Sequence, residues 1–96
     1  MKRQTMDSES AHPDLFVFPC EFVIKIFGIA SSEFEATAIT IIRKHIKELR
    51  EDAIKTRSSK DGKYLALSIT ITAESRDQLD DIYRELSSDS RILMAL

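Results

Sequence analysis

The feature of this chain that most constrains its fold is the stretch KYLALSITITA, from Lys63 to Ala73. Large apolar side chains occupy every second position in its middle, at Leu65, Leu67, Ile69 and Ile71. A period of two is typical of a β-strand with one buried face, because successive side chains point to opposite sides of a sheet. The sequence therefore predicts a central strand with two chemically different faces.

Two further strands are predicted next to it. A charged stretch, 52–60, suits an edge strand and is joined to the central strand through Asp61-Gly62, a pair typical of a tight hairpin turn. The stretch from Cys20 to Gly28 alternates in the same way. Because burying a lone lysine is costly, Lys25 marks the outer face of this strand, and Gly28 is predicted to end it.

Two helices are predicted from capping boxes that precede helical stripes. Ser32 with Glu35 forms the first box, and Ser75 with Gln78 forms the second. The first helix presents one inner stripe: Phe34, Ala38, Ile41, Ile42, His45 and Leu49. The second presents a shorter one: Leu79, Ile82, Tyr83 and Leu86.

The elements follow one another as strand, helix, strand, strand, helix and strand, the last strand being the apolar stretch 91–96. Right-handed crossovers and a helix-covered sheet leave an α+β, ferredoxin-like βαββαβ sandwich, with strand order 4-1-3-2 and both helices on one face. The other face is predicted to be open. It carries residues of the two central strands: Val23, Lys25, Phe27, Ala66, Ser68, Thr70 and Thr72.

The length of 96 residues suits one small domain with a single core. We expect this domain to span 15–96, after a flexible tail over 1–14 that has few large apolar groups. The tail lacks the apolar segment of a secretory signal, and no apolar run reaches the length of a membrane-spanning helix. We therefore expect a cytoplasmic protein.

Charge and cysteine content narrow the classes of partner and cofactor. The net charge is −2, so no global attraction draws the chain to nucleic acid or to anionic lipid. The single cysteine, Cys20, excludes an internal disulfide and a site built from several thiolates. We predict neither a metal nor another cofactor.

Enzymes and metal carriers of this fold need residues that the chain lacks. Copper carriers place two cysteines in the loop after the first strand, where this chain reads GIASSEF, and acylphosphatases need an asparagine, which the chain does not contain. His45 is predicted to be a hydrogen-bonded boundary residue rather than a base. Asp80 and Asp81 diverge by roughly 100° on a helix, so they do not form a close pair. No catalytic constellation is predicted.

Two candidate binding sites remain. In the loop before the first helix, Gly28, Ser31 and Ser32 lie beside backbone N–H groups suited to a carboxylate or phosphate ligand, although every capped helix offers the same feature.

The second candidate site is the sheet, which we expect to contact a second copy or another protein. Val23 and Phe27 lie on the open face with the small residues Ser68 and Thr70, and Leu93 lies in the uncharged last strand. The alternative is that the segment around Phe16 and Phe18 covers this edge within one chain.

Several segments also carry a family resemblance. They are Phe18-Pro19, Phe22, Lys25, Gly28, the run SSKDGKYLALSIT over 58–70, the run IYREL over 82–86, and Leu96. Together they resemble the YbeD-like family of small uncharacterised bacterial proteins, which is similar in fold to ACT regulatory domains. The resemblance implies a non-catalytic regulatory or protein-interaction module.

Two alternative functions stay open. One is a small-ligand sensor of the ACT type. The other, ranked lowest, is a nucleic-acid-binding domain, because RNA-recognition domains stack bases on aromatic residues of both middle strands and only Phe27 and Tyr64 are available here.

Deletion of residues 1–14 tests the proposed boundary of the domain. Because this segment offers little apolar area to bury, its removal is expected to change the melting temperature by no more than a few degrees. Thermal unfolding of the full chain and of the shortened chain measures the difference. A larger drop would place part of the core before residue 15.

Overall fold

Four strands and two helices make up the part of the chain that the computed structural model describes, residues 17–96. In chain order they are β1 (Cys20–Ile29), α1 (Ser32–His45), a short 3-10 helix (Glu51–Ala53), β2 (Ile54–Ser58), β3 (Tyr64–Ala73), α2 (Arg76–Ser88) and β4 (Met94–Ala95). The predicted tail, 1–14, lies outside the described residues, as do Leu15 and Phe16. The element order matches the one predicted from the sequence.

The strands form one antiparallel sheet with the order β2-β3-β1-β4, which is the predicted order 4-1-3-2 read from the other edge. The two ten-residue strands β1 and β3 lie at its centre and pair along their full length, from Cys20↔Ala73 to Ile29↔Tyr64. The predicted ferredoxin-like α+β fold is therefore confirmed.

One face of the sheet packs against both helices and forms the core. The largest fully buried side chains come from both layers: Phe34, Ile24, Ile26, Ile42, Leu67, Ile69, Ile82 and Leu86. The alternation in the central strand holds, since Leu67, Ile69 and Ile71 are buried while Leu65 is half-buried. Leu49 lies beyond the end of α1 but still packs against the core.

Gly28 does not end the first strand, contrary to the prediction. It lies inside β1 opposite Leu65, and the strand continues through Ile29. A Cβ atom at this position would lie 2.3 Å from Cδ1 of Phe34 and 2.8 Å from the carbonyl oxygen of Arg91. Glycine is needed here because the ring of Phe34, a residue of the first helix, packs directly on the strand backbone. It is not needed for a turn of the chain.

Helix α1 begins one residue earlier than the sequence suggested. Its N-cap is Ser31, not Ser32, and the Ser31 Oγ accepts a hydrogen bond of 3.0 Å from the backbone N–H of Phe34. Glu35 made Ser32 the better match to a capping box. With Ser31 as the cap, Phe34 is the third residue of the helix: its backbone N–H bonds the cap and its ring is buried against Gly28.

The cap predicted for α2 is confirmed. Ser75 Oγ accepts a hydrogen bond of 3.1 Å from the backbone N–H of Gln78. The side chain of Gln78 accepts from the N–H of Glu74 at 2.8 Å and donates to the carbonyl oxygen of His45 at 2.9 Å. This one amide therefore joins the start of α2 to the end of α1.

The connection between β2 and β3 is longer than the predicted tight turn. Its residues, 59–63, include Gly62 with a φ of +75°, a left-handed conformation that favours glycine. Asp61 organises the loop, because its Oδ1 accepts from the Ser59 hydroxyl at 2.8 Å and from the Lys63 N–H at 3.0 Å. The bond from Lys63, followed by that from Ser59, lowers the pKa of the Asp61 carboxyl.

Both edge strands are shorter than expected. The stretch 52–60 starts within the 3-10 helix and is a strand only over Ile54–Ser58, and the stretch 91–96 is a strand only over Met94–Ala95. Backbone hydrogen bonds extend the pairing of the last segment on both sides of the strand, from Leu93 N–H to the Phe27 carbonyl and from Leu96 N–H to the Lys25 carbonyl, both 2.8 Å.

Substitution of Gly28 by alanine tests the contact between β1 and α1. The added methyl group overlaps the Phe34 ring, so Gly28→Ala is expected to lower the free energy of unfolding by about 1–3 kcal/mol. Urea unfolding measures this cost, which should be smaller in a Phe34→Leu background because the shorter side chain leaves room.

Gly62→Ala is the matched control. It has open space around the added methyl group, so its cost comes from the positive φ and should be the same with either residue at position 34. Equal costs of Gly28→Ala in both backgrounds would contradict the assigned role of Phe34.

Candidate functional site

The face of the sheet opposite the helices, here called the open face, is the main candidate site. The strand registers place its residues in rows that run across the sheet. One row contains Met94, Phe27, Ala66 and Arg57, and the next contains Lys25, Ser68 and Lys55. Small residues of β3 thus lie between longer side chains of β1 and β2.

Apolar side chains of β1, β3 and the β4 edge are exposed on this surface. Val23, Ile29, Tyr64, Met94 and Leu96 each have between 44% and 61% of their surface exposed. Ile29 pairs directly with Tyr64, and Phe27 pairs directly with Met94, so these side chains are cross-strand neighbours. These two pairs lie in adjacent rows, so the apolar surface is continuous from Tyr64 at the start of β3 to Met94 in β4.

Cationic side chains of β1 and β2 lie on the same face, beside the apolar ones. Lys25 and Lys55 flank Ser68 from the two neighbouring strands, and Arg57 flanks Ala66. All three are exposed. A shallow cavity of about 210 Å³ lies above Ala66, with Phe27, Arg57 and Tyr64 among its lining residues. This cavity offers aromatic surface and a guanidinium group side by side.

Four of the five residues predicted as an interface lie together on this face. Val23 pairs with Thr70. Ser68 lies two positions before Thr70 on β3, and Phe27 lies four positions after Val23 on β1, so all four side chains are on the same face. Leu93 lies apart from them, just before β4 at the sheet edge, with 56% of its surface exposed.

The predicted ligand residues before α1 have internal roles in the structure. Gly28 is buried against Phe34, and the Ser31 hydroxyl caps the helix. Ser32 is exposed and begins α1. The backbone N–H of the intervening Ala30 donates to the carbonyl oxygen of Lys63 at 2.9 Å. These contacts explain both Gly28 and Ser31 without a ligand.

A polar cluster that the sequence did not reveal joins the outer ends of the two helices. Glu85 on α2 accepts hydrogen bonds from Lys44 and from His45 Nε2 of α1, the latter at 2.9 Å. The bond from Lys44, followed by that from His45, lowers the pKa of the Glu85 carboxyl. His45 thus has the hydrogen-bonded boundary role expected of it.

Neither a metal centre nor a membrane span is found in the described part of the chain. Residues 17–96 contain no group of three or more histidine, cysteine, aspartate or glutamate side chains placed to hold a metal ion. Within the same residues, neither helix has the length and apolar character required to cross a bilayer.

Comparison with known proteins places these features in a family. Residues 13–96 match a family model described as a protein of unknown function, DUF493. A UPF0250 protein of Paraburkholderia phytofirmans is 41% identical over 87 residues, which cover 91% of this chain and 98% of the relative. A UPF0250 protein of Chromobacterium violaceum is 41% identical over 83 residues, covering 86% and 93%.

Solved structures show the same fold at low sequence identity. Protein HP0495 from H. pylori superposes with a TM-score of 0.72 at 14% identity, and 98% of each chain is covered. The ACT domain from the GTP pyrophosphokinase of Chlorobium tepidum gives a TM-score of 0.60 at 19% identity, covering 80% of this chain and 97% of the domain. The expected ACT-like architecture is confirmed.

The cluster around Glu85 generates a pH prediction. Because the pKa of this carboxyl is lower in the folded protein than its ordinary value of 4.5, the unfolded chain takes up the proton more readily. The ionised Glu85 carboxylate therefore stabilises the folded protein above pH 4.5, and this contribution is lost as the pH falls through the pKa of Glu85 in the folded state.

Glu85→Gln removes this titration. Urea unfolding is measured from about pH 7 to about pH 3. The difference in the free energy of unfolding between the wild type and Glu85→Gln should be constant at first and should then shrink in acid. Lys44→Met, which removes the larger cause of the shift, should reproduce part of the effect. Parallel pH profiles for wild type and Glu85→Gln would contradict it.

Proposed function

This chain belongs to the DUF493 family of proteins of unknown function, and we propose that it is a non-catalytic interaction module whose sheet supplies the contact surface. Membership agrees with the resemblance to the YbeD-like family drawn from the sequence. The proposal concerns what the module does, and it rests on the surface chemistry of residues 17–96.

One observation carries it. In the described residues, every exposed large apolar side chain except Val17 lies on the open face or at the β4 edge. The opposite face of the same sheet is buried under two helices. Contiguous exposed apolar surface on a small domain marks interaction sites more often than scattered single residues do.

The edge at β4 suits a second copy of the chain. Ile92 to Leu96 carry no charge, whereas the opposite edge strand β2 carries Lys55 and Arg57. An uncharged strand edge presents backbone groups that can pair with another strand, while lysine and arginine on an edge disfavour pairing. Self-association through β4 follows from this difference.

The small-ligand sensor is less well supported than the interaction module. Its proposed residues Gly28 and Ser31 are engaged with Phe34, by packing and by a helix cap respectively. A carboxylate ligand at this loop would have to use the exposed Ser32 and the remaining N–H groups of the first turn.

Light scattering on the purified protein tests the proposal. A dimer is expected, and Leu93→Lys should shift it toward monomer because a charge on the edge must lose water on pairing. Thr56→Lys is the matched control, since it adds the same charge to the exposed β2 edge.

Phe27→Glu separates the edge from the open face. A dimer dissociated only by Phe27→Glu would place the self-contact on the open face. A monomer at every concentration would end the self-association proposal and leave a different protein as the partner.

A further inference from the structure

The three cations of the open face have no carboxylate partner in residues 17–96. Lys25, Lys55 and Arg57 take part in no ion pair with another described residue. Glu21, the carboxylate that β1 contributes to this face, lies four residues from Lys25, about 13 Å along the strand. The cations therefore form a local positive surface on a chain whose net charge is −2.

Two of the carboxylates that lie close to these cations in the sequence are engaged elsewhere. Asp52 is bonded to Arg50 at 3.0 and 3.1 Å, and Asp61 is held inside the β2–β3 loop. Glu85 is bonded to Lys44 and His45 on the helical side. Folding thus separates charges that appear mixed along the chain.

Apolar surface lies directly beside these cations. The cavity above Ala66 is open because this residue is small, and Phe27, Tyr64 and Arg57 surround it. It can accept one apolar or aromatic side chain, with a guanidinium group within reach of a neighbouring carboxylate.

We propose that the open face binds a protein segment that carries carboxylates next to apolar side chains. The carboxylates of the bound segment pair with Lys25, Lys55 and Arg57, and one of its apolar side chains enters the cavity above Ala66. This inference rests on the proposed interaction function and specifies the chemistry of the partner at the open face.

A second copy of this chain fits the open face poorly. In a two-fold contact each surface meets its own equivalent. A contact centred on Ala66 and Ser68 would bring the three cations of one copy against those of the other, which is repulsive. Self-association at β4 and acidic-segment binding on the open face therefore use different surfaces.

Single-stranded nucleic acid satisfies only part of this chemistry. Phosphates suit the cations, but β3 continues past Ala66 with Ser68 and Thr70, which offer no stacking surface for successive bases. The exposed aliphatic residues Val23 and Met94 also suit a protein segment better than a base.

Titration of the full chain by nuclear magnetic resonance tests the inference. The probes are a synthetic amphipathic peptide with glutamate beside leucine and phenylalanine, the same peptide with glutamine for glutamate, and single-stranded oligothymidylate. The acidic peptide is expected to shift the amide signals of β1 and β3 around Ala66, with an affinity that falls as salt is added.

Charge reversal supplies the matched variants. Lys25→Glu/Arg57→Glu should weaken the acidic peptide by at least about tenfold. Arg43→Glu/Lys47→Glu, which reverses one exposed arginine and one exposed lysine on and just beyond α1, makes the same change in net charge and should have little effect. Lys25→Glu/Arg57→Glu should also gain affinity for a peptide with lysine in place of glutamate.

Three results would overturn the inference: equal binding of the glutamine peptide, tighter binding of oligothymidylate at the same amides, or no shift with any probe. If one of these results is obtained but light scattering shows that the protein is a dimer, the inference about the partner fails while the proposed interaction function stands.

Discussion

The pairing of β1 with β3 determines the rest of this structure. Ten residue pairs, from Cys20↔Ala73 to Ile29↔Tyr64, fix which side chains share a face. Because side chains alternate, a slip of β1 by one residue against β3 would move Ile24 and Ile26 from the core to solvent. The same register places Phe27 beside Ala66 and Lys25 beside Ser68, so the core and the open face have a common origin.

Much of the fold could be predicted because its strongest signals are local. The alternation in β3 and the Ser75 cap of α2 are each contained in a few consecutive residues, and both are found as expected. The predictions were wrong where the local structure depends on contacts with residues farther along the chain. Gly28 resembles a strand end in the sequence, but its role depends on the ring of Phe34, six residues later, which packs on it. The choice of Ser31 over Ser32 as the cap is likewise seen only in the folded chain.

The candidate site was predictable in position but not in chemistry. The alternation of β1 and β3 identified Val23, Phe27, Ser68 and Thr70 as residues of one face. The sequence could not show that Lys55 and Arg57 of β2 form no ion pair with the nearby Asp52 and Asp61. These two carboxylates are hydrogen-bonded to Arg50 and to the Lys63 N–H, and both contacts form only in the folded loops. Likewise, Glu85 and Lys44 are 41 residues apart, and no sequence pattern joins them.

The two proposed contacts reinforce each other through symmetry. When two identical edge strands pair in the antiparallel sense, the two-fold axis is perpendicular to the sheet, so both open faces lie on the same side of one continuous sheet. Such a dimer presents two copies of the cationic surface around Lys25 and Arg57 to the same partner. A partner with two acidic segments would bind the second site at the effective concentration set by its linker. Dissociation of the β4 contact would then weaken partner binding without any change in the open face itself.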